Sequence, residues 1–315
     1  MKKLSFVIPC YGSELTIEGV IAEINSVMAL RPEYSFETIC VNDCSPDNVL
    51  EKLKKIATEQ DTVTVVDFAK NMGKHAAVMA GFSFVTGDYI VNLDDDGQCP
   101  LDKLWNLVDT VENGSDIAIA KYPVKKQSVV KNFGSSVNAF MSHILLNKPN
   151  NLQFSNFGVI KRFIIDEILK YHNPYPYLEG LFLRTTSKII NVEMDERERT
   201  AGTGHFTFRK SLSLWLNGFT AFSIKPLRIA TVAGFVFAVI GFVYALSIVI
   251  RKLFIYPEMA MGYSSTMAIL LLIGGMLMLM LGLIGEYIGR IYISINNSPQ
   301  YVIREVIKSE DGNKR

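Results

Sequence analysis

Over the first 120 residues, short apolar runs alternate with segments whose apolar positions recur at helical spacing. The runs 4–8, 36–41, 63–66, 88–93 and 116–120 are short and rich in Val and Ile, which predicts strands. After the first run, Ile17, Val20, Ile21, Ile24, Val27 and Met28 fall at helical spacing, and Leu50, Leu53 and Ile56 do so after the second. Strands alternating with helices predict a mostly parallel sheet covered on both faces.

The pattern changes beyond about residue 225. The stretch 229–250 is 22 residues without a charge, and 266–285 is another 20. A helix of about 20 apolar residues spans a bilayer core, and neither stretch has a polar face, so two transmembrane helices are predicted. Just upstream, Phe208, Leu212, Trp215, Leu216, Phe219 and Phe222 follow helical spacing, with Arg209 and Lys210 at the start. A core helix packed on the sheet would show the same stripe. Its place next to the first span favours an interfacial amphipathic helix lying in the headgroups. The expected organisation is therefore an α/β domain over 1–207, an interfacial helix over 208–225, two membrane helices within 226–290 and a C-terminal tail over 291–315.

Charge adds an orientation. Lys225 and Arg228 precede the first span, and Arg290, Arg304, Lys308, Lys314 and Arg315 follow the second, against Arg251 and Lys252 between them. The bias puts both ends in the cytoplasm of a multi-pass inner-membrane protein. The amino-terminal apolar stretch is too short for a signal-peptide core and is cut by Pro9, so it reads as the first strand. Across the 315 residues, 32 basic and 31 acidic side chains nearly cancel, so nothing global points to nucleic acid. Cys10, Cys40, Cys44 and Cys99 show no CxxC pair and no zinc-ligand spacing, and read as free thiols.

Candidate chemistry sits at the strand ends. No GxGxxG follows the first strand, and Gly73-Lys74 lacks the rest of a P-loop. The first strand instead ends in Pro9-Cys10-Tyr11-Gly12-Ser13-Glu14, the second in Asn42-Asp43-Cys44-Ser45 and the fourth in Asp94-Asp95-Asp96-Gly97-Gln98. A doubly wound sheet brings such loops together along one edge, where ligands bind. Three adjacent carboxylates repel one another. Two readings stand at this point: a solvated acidic turn, or a site for a hard divalent cation such as Mg²⁺ or Mn²⁺.

The segments IPCYGSE, VNDCS, AKNMGKHAAVMAGFSFVTGDYIVNLDDDGQ and GLIGEYIGRIY, in this order, resemble the polyprenyl-phosphate glycosyltransferases of glycosyltransferase family 2. That group has a GT-A, Rossmann-like catalytic domain and includes the dolichol-phosphate mannose synthase, aminoarabinose transferase and bactoprenol glucosyltransferase enzymes. The resemblance runs from Leu4 to about Ile307 and is most specific over Lys70 to Gln98 and Leu283 to Tyr292. It implies an inverting transfer of sugar from a nucleotide-sugar donor to a polyprenyl phosphate, at a membrane, with Mg²⁺ or Mn²⁺. It also raises the expectation of a homo-oligomer.

Carried over position by position, the resemblance assigns Pro9, Tyr11, Glu14, Asp43, Asn71 and Lys74 to the nucleotide sugar. It assigns Asp94, Asp96 and Gln98 to the metal and donor diphosphate, with Asp95 at the variable middle position. Lys121, Arg197 and Arg199 are assigned to the acceptor phosphate, with Asp94, Asp96 and Arg199 as the catalytic set. Guanidinium suits phosphate, although a lone arginine is commonly a solvated surface charge. A polyprenyl phosphate is already an anion near neutral pH and attacks the sugar C1 without a strong base; the enzyme positions the reactants and stabilises the leaving diphosphate.

Four positions depart from the family pattern. Gly12 replaces an Asn, Gly158 an Arg, Gly204 a Ser and Phe206 a Tyr. They keep open a second reading, a catalytically impaired membrane protein that binds nucleotide sugar, or a transferase with a different lipid-linked acceptor. A processive polysaccharide synthase would need more spans and a QxxRW motif, and neither Trp105 nor Trp215 follows an Arg.

Overall fold

The computed structural model describes residues 1–123, 149, 152–195, 197, 225–254, 262–296 and 299–309. Arg199, Gly204, Phe206 and the interfacial segment expected at 208–225 (all but its last residue) lie outside the described residues. The chain forms two compact units, Met1–Gly218 with Asn297–Arg315, and Phe219–Asn296.

All five predicted strands are present in the first unit: β1 (Lys2–Cys10), β2 (Tyr34–Asn42), β3 (Val63–Phe68), β4 (Tyr89–Asn92) and β5 (Ile117–Lys121). The helices between them are α1 (Ile17–Met28), α2 (Val49–Glu59), α3 (Lys74–Phe82) and α4 (Leu104–Glu112). Ile17, Val20, Ile21, Ile24, Val27 and Met28, the apolar stripe of α1, are its buried residues. Leu4 to Cys10 are buried without a break, as a strand covered on both faces must be.

Three further strands were not legible in the periodicity: β6 (Gly158–Lys161), β7 (Ile189–Glu193) and β8 (Ile303–Ile307). The helices α5 (Arg162–Ile168) and α6 (Leu178–Thr185) lie between β6 and β7. The sheet runs β7-β5-β6-β4-β1-β2-β3-β8. Strands β1 to β4 are mutually parallel, β6 runs antiparallel between β4 and β5, and β8 runs antiparallel along β3. The sheet is thus mixed, α/β and Rossmann-like. Part of the segment read as a C-terminal tail, 291–315, is an edge strand of this sheet. From β1 the chain winds out to β2 and β3 on one side and returns to β4 on the other. The crevice at this switch point opens at the carboxyl ends of the strands.

The second unit is a helical pair, α7 (Lys225–Phe254) and α8 (Tyr263–Ile295), and the stretches 229–250 and 266–285 fall within these helices. Among the described residues, Leu272–Gly289 is long and apolar enough to cross a membrane, while the apolar part of α7, Ala230–Tyr244, is shorter. Large apolar side chains stand exposed here, Phe235 at 70%, Phe242 at 69%, Met278 at 73% and Leu281 at 61%.

Candidate active site

Four loops leave the carboxyl edge around the switch point, after β1, β2, β3 and β4, and each carries candidate residues. The three aspartates after β4 face three different sets of partners. The Asp94 carboxylate pairs with the Lys74 ammonium and accepts a 2.9 Å hydrogen bond from Asn156 Nδ2. Asp95 turns the other way: its Oδ2 accepts the Tyr11 N–H at 2.9 Å and its carbonyl accepts the Thr16 hydroxyl at 2.6 Å. Burial pushes the Asp95 carboxyl up to about 6, against the opposing pull of the Tyr11 N–H. Asp96 Oδ1 accepts the Gln98 N–H at 3.1 Å. The repulsion among the three is relieved by this divergence. Asp95, the variable middle residue, is the tie that holds the Tyr11 loop to the acidic loop.

The first two loops are stitched together as well. The Gly12 N–H donates to Ser45 Oγ at 2.8 Å, and the Glu14 N–H to Asp47 Oδ2 at 2.8 Å. The Ser45 hydroxyl donates to Asp47 Oδ1 at 2.5 Å, and Glu14 Oε2 accepts the Asn48 N–H at 3.3 Å, just ahead of α2. Pro9 is buried within β1, paired with Val41, while Tyr11 stands exposed at the edge.

Asp43 is buried and spends both oxygens on the third loop, accepting the Met72 N–H at 2.6 Å and the Gly73 N–H at 2.8 Å. Burial raises its pKa and these two donors oppose the shift. Asn71 Nδ2 donates to the Asp43 carbonyl at 3.0 Å. Asp43 and Asn71 therefore shape the loop that leads into α3, and Lys74 is the first residue of that helix. A positive φ of 87° at Gly73 makes the turn into α3, which a side chain would strain.

The proposed acceptor residues behave differently from one another. Lys121 ends β5 and pairs with Glu193 of β7 at 2.8 Å, both partly exposed. Arg197 is engaged by two carboxylates. Its guanidinium pairs with Glu23 of α1 at 2.7 Å and with Asp102, and its backbone exchanges bonds with Gln98. Two carboxylates thus hold the charge of Arg197, the residue expected at the acceptor phosphate. It clamps the segment around 197 to the loop after β4.

Two contributors escaped the sequence reading. Asn156 holds Asp94, and its carbonyl accepts Asn92 Nδ2 at 3.0 Å from the end of β4. Asp47 bridges the first two loops. A lone Asn and one Asp in a turn carry no periodic or spacing signal, so nothing in the sequence could have singled them out. The departure at Gly158 has a packing reason: a Cβ there would lie 2.9 Å from the Ala118 carbonyl of β5. The two strands approach too closely for a side chain. Cys10, Cys40 and Cys99 are buried free thiols, and burial pushes Cys10 and Cys99 upward, away from reactivity.

Among the described residues no group of three or more His, Cys, Asp or Glu could by itself hold a metal ion. Mg²⁺ sites that also use substrate phosphates need only one or two carboxylates. Asp94 and Asp96, hard oxygen donors on one short loop at the ligand crevice, fit that kind of site.

The chain matches the Glycosyl transferase family 2 model over residues 5–169 and the GtrB C-terminal hairpin model over 225–291. It is 33% identical to the undecaprenyl-phosphate 4-deoxy-4-formamido-L-arabinose transferase of Proteus mirabilis, covering 100% of this chain and 97% of that one. It is 31% identical to a glycosyltransferase of Bacillus subtilis (96% and 93%) and 28% identical to the SfII prophage-derived bactoprenol glucosyl transferase of Shigella flexneri (99% and 99%). The chain belongs to glycosyl transferase family 2 and is a glycosyltransferase.

Proposed function

We propose that the protein transfers a sugar from a nucleotide-activated donor to a polyprenyl phosphate at a membrane. One observation carries this reading: a family 2 domain and a GtrB hairpin occur in one chain. Its end-to-end relatives are named as transferases for undecaprenyl phosphate and bactoprenol. The intact acidic loop favours activity over a nucleotide-binding protein without it.

The donor lies along the carboxyl edge, with Tyr11 and Glu14 on the first loop. The Lys74 ammonium stands at the amino end of α3, where positive charge and helix dipole both favour a diphosphate. Asp94 and Asp96, with Gln98 beside them, would hold Mg²⁺ or Mn²⁺, which when bound neutralises charge on the diphosphate. Lys121 and Arg199 receive the acceptor phosphate. A phosphate oxygen of the lipid attacks the sugar C1 from the face opposite the leaving group. The new C1–O bond forms as the C1–O bond to the nucleoside diphosphate breaks, and the configuration inverts. The nucleophile is already an anion, so no general base has to be supplied. The two apolar helices span the membrane, and both chain ends lie in the cytoplasm.

The test is purified protein in detergent with a panel of sugar nucleotides, undecaprenyl phosphate and Mn²⁺, with products read by mass spectrometry. A polyprenyl-phosphate sugar is the expected product. Donor hydrolysis without lipid dependence, or no turnover of any donor, would overturn the reading.

A further inference from the structure

The C-terminal strand β8 is joined to the rest of the sheet by side chains as well as by its ladder. Tyr301 stacks on Phe68 with ring centroids 5.5 Å apart, and Gln300 Nε2 donates to the Tyr171 and Asn173 carbonyls at 2.7 Å each. Glu305 pairs with Lys54 of α2 at 3.1 Å. The β3–β8 register shifts between Asp67 and Phe68: Asp67 faces Glu305 and Phe68 faces Ile303, so Arg304 is the extra residue of a bulge. Bulges re-aim a side chain, and this one sends Arg304 back across the sheet edge. Arg304 Nη1 lies 3.3 Å from Asp67 Oδ2, and Nη2 donates to the Ala69 carbonyl at 3.3 Å.

Asp67 is only 1% exposed, and a buried carboxylate needs a charge partner and hydrogen bonds. Its other oxygen accepts Asn42 Nδ2 at 2.7 Å. Asn42 Oδ1 in turn accepts the Ser45 N–H at 3.3 Å, and the Ser45 hydroxyl side chain accepts the Gly12 N–H. The Ala69 contact enters the loop that holds Asn71 and leads to Lys74 at the start of α3. One guanidinium thus sits at the head of both routes to the loops assigned to the donor.

We propose that Arg304, on the bulge of the C-terminal strand, is a positioning residue for the donor-binding loops, acting through Asp67 and Asn42 on residues 11–14 and 43–48 and through Ala69 on residues 69–74. The inference rests on the reading of those loops as the donor site. It gives the segment that follows the hairpin a part in donor affinity, although none of its described residues belongs to the site.

Two measurements on full-length protein in detergent test it. In Arg304→Ala, hydrogen exchange should quicken in peptides covering 11–14, 43–48 and 69–74 while the α4–β5 region stays protected. Affinity for nucleoside diphosphates should fall roughly twofold to thirtyfold, the range seen for mutations along coupled networks. The probe is a panel of UDP, GDP, ADP, CDP and dTDP with Mn²⁺. Turnover at saturating donor and the KM for undecaprenyl phosphate should be unchanged. Asp67→Asn in the Arg304→Ala background should restore affinity by removing the unpaired charge, a non-additivity that a merely loosened edge would not show. Lys54→Ala, which frees the same strand from α2 alone, should leave donor affinity as it is. Unchanged exchange and affinity in Arg304→Ala would overturn the inference, as would equal losses for donor and lipid. Failure of the wild-type protein to bind any of the five diphosphates would instead sink the donor-site reading, and the inference with it.

Discussion

The two units solve opposite problems with their apolar side chains. In the α/β unit, Leu4, Phe6, Ile8, Ile17, Leu53 and Phe82 are at or near zero exposure, and the carboxyl edge above them is closed by hydrogen bonds. In the helical unit, Phe235, Phe242 and Met278 stand about 70% exposed, with hardly a charge among them. A side chain avoids water by packing or by lipid. The first unit does the former, and the second has the composition for the latter. Only the packed unit holds buried carboxylates such as Asp43 and Asp95 within fixed sets of donors, among the described residues.

The largest expected break in this contrast is Asp96→Asn. It should lower transfer by several kcal/mol, roughly a thousandfold, and leave the fold unchanged by circular dichroism. Excess EDTA should do the same to the wild type. Full activity in either case would remove the cation from the site.

A single apolar-to-charged change sharpens the contrast next. Leu281→Arg, on the exposed side of α8, should cost about 2.5–3.5 kcal/mol of membrane insertion. Leu30→Arg, at a comparably exposed place in the α/β unit, should shift stability by less than about 0.5 kcal/mol. The measurements are the fraction resisting alkaline extraction for the first and thermal melting for the second. Equal, small effects would mean that the hairpin does not meet lipid.

A smaller effect than either Asp96→Asn or Leu281→Arg concerns His75 in α3, whose Nδ1 accepts the Leu178 N–H at 3.4 Å. Burial, and then the neighbouring Lys74 charge, lower its pKa from 6.5 to about 4. The unfolded chain therefore takes up this proton first as pH falls. Stability from the neutral imidazole is complete above pH 6.5 and is lost progressively toward pH 4, by about 1 kcal/mol at pH 5.5. His75→Gln, which keeps an acceptor for Leu178, should flatten that slope in melts between pH 5 and 7.5. An unaltered slope would assign the acid sensitivity to another group.

The sequence alone determined the α/β alternation, the five strands β1 to β5, the stripe of α1, the two long apolar helices and the gathering of carboxylates at strand ends. Each of these is a local pattern, repeated over enough residues to register. The tertiary structure decided the rest. It inserted β6 antiparallel between β4 and β5 and returned β8 to β3, pairings between segments far apart in the chain that no local pattern announces. It turned Asp95 from a bystander into a loop tie, gave Asp43 and Arg197 structural partners, and brought Asn156 to Asp94. Those roles depend on which groups lie within about 3 Å after folding, and hydrogen bonds over that distance join residues 25 to 237 positions apart in ways that no spacing along the chain encodes.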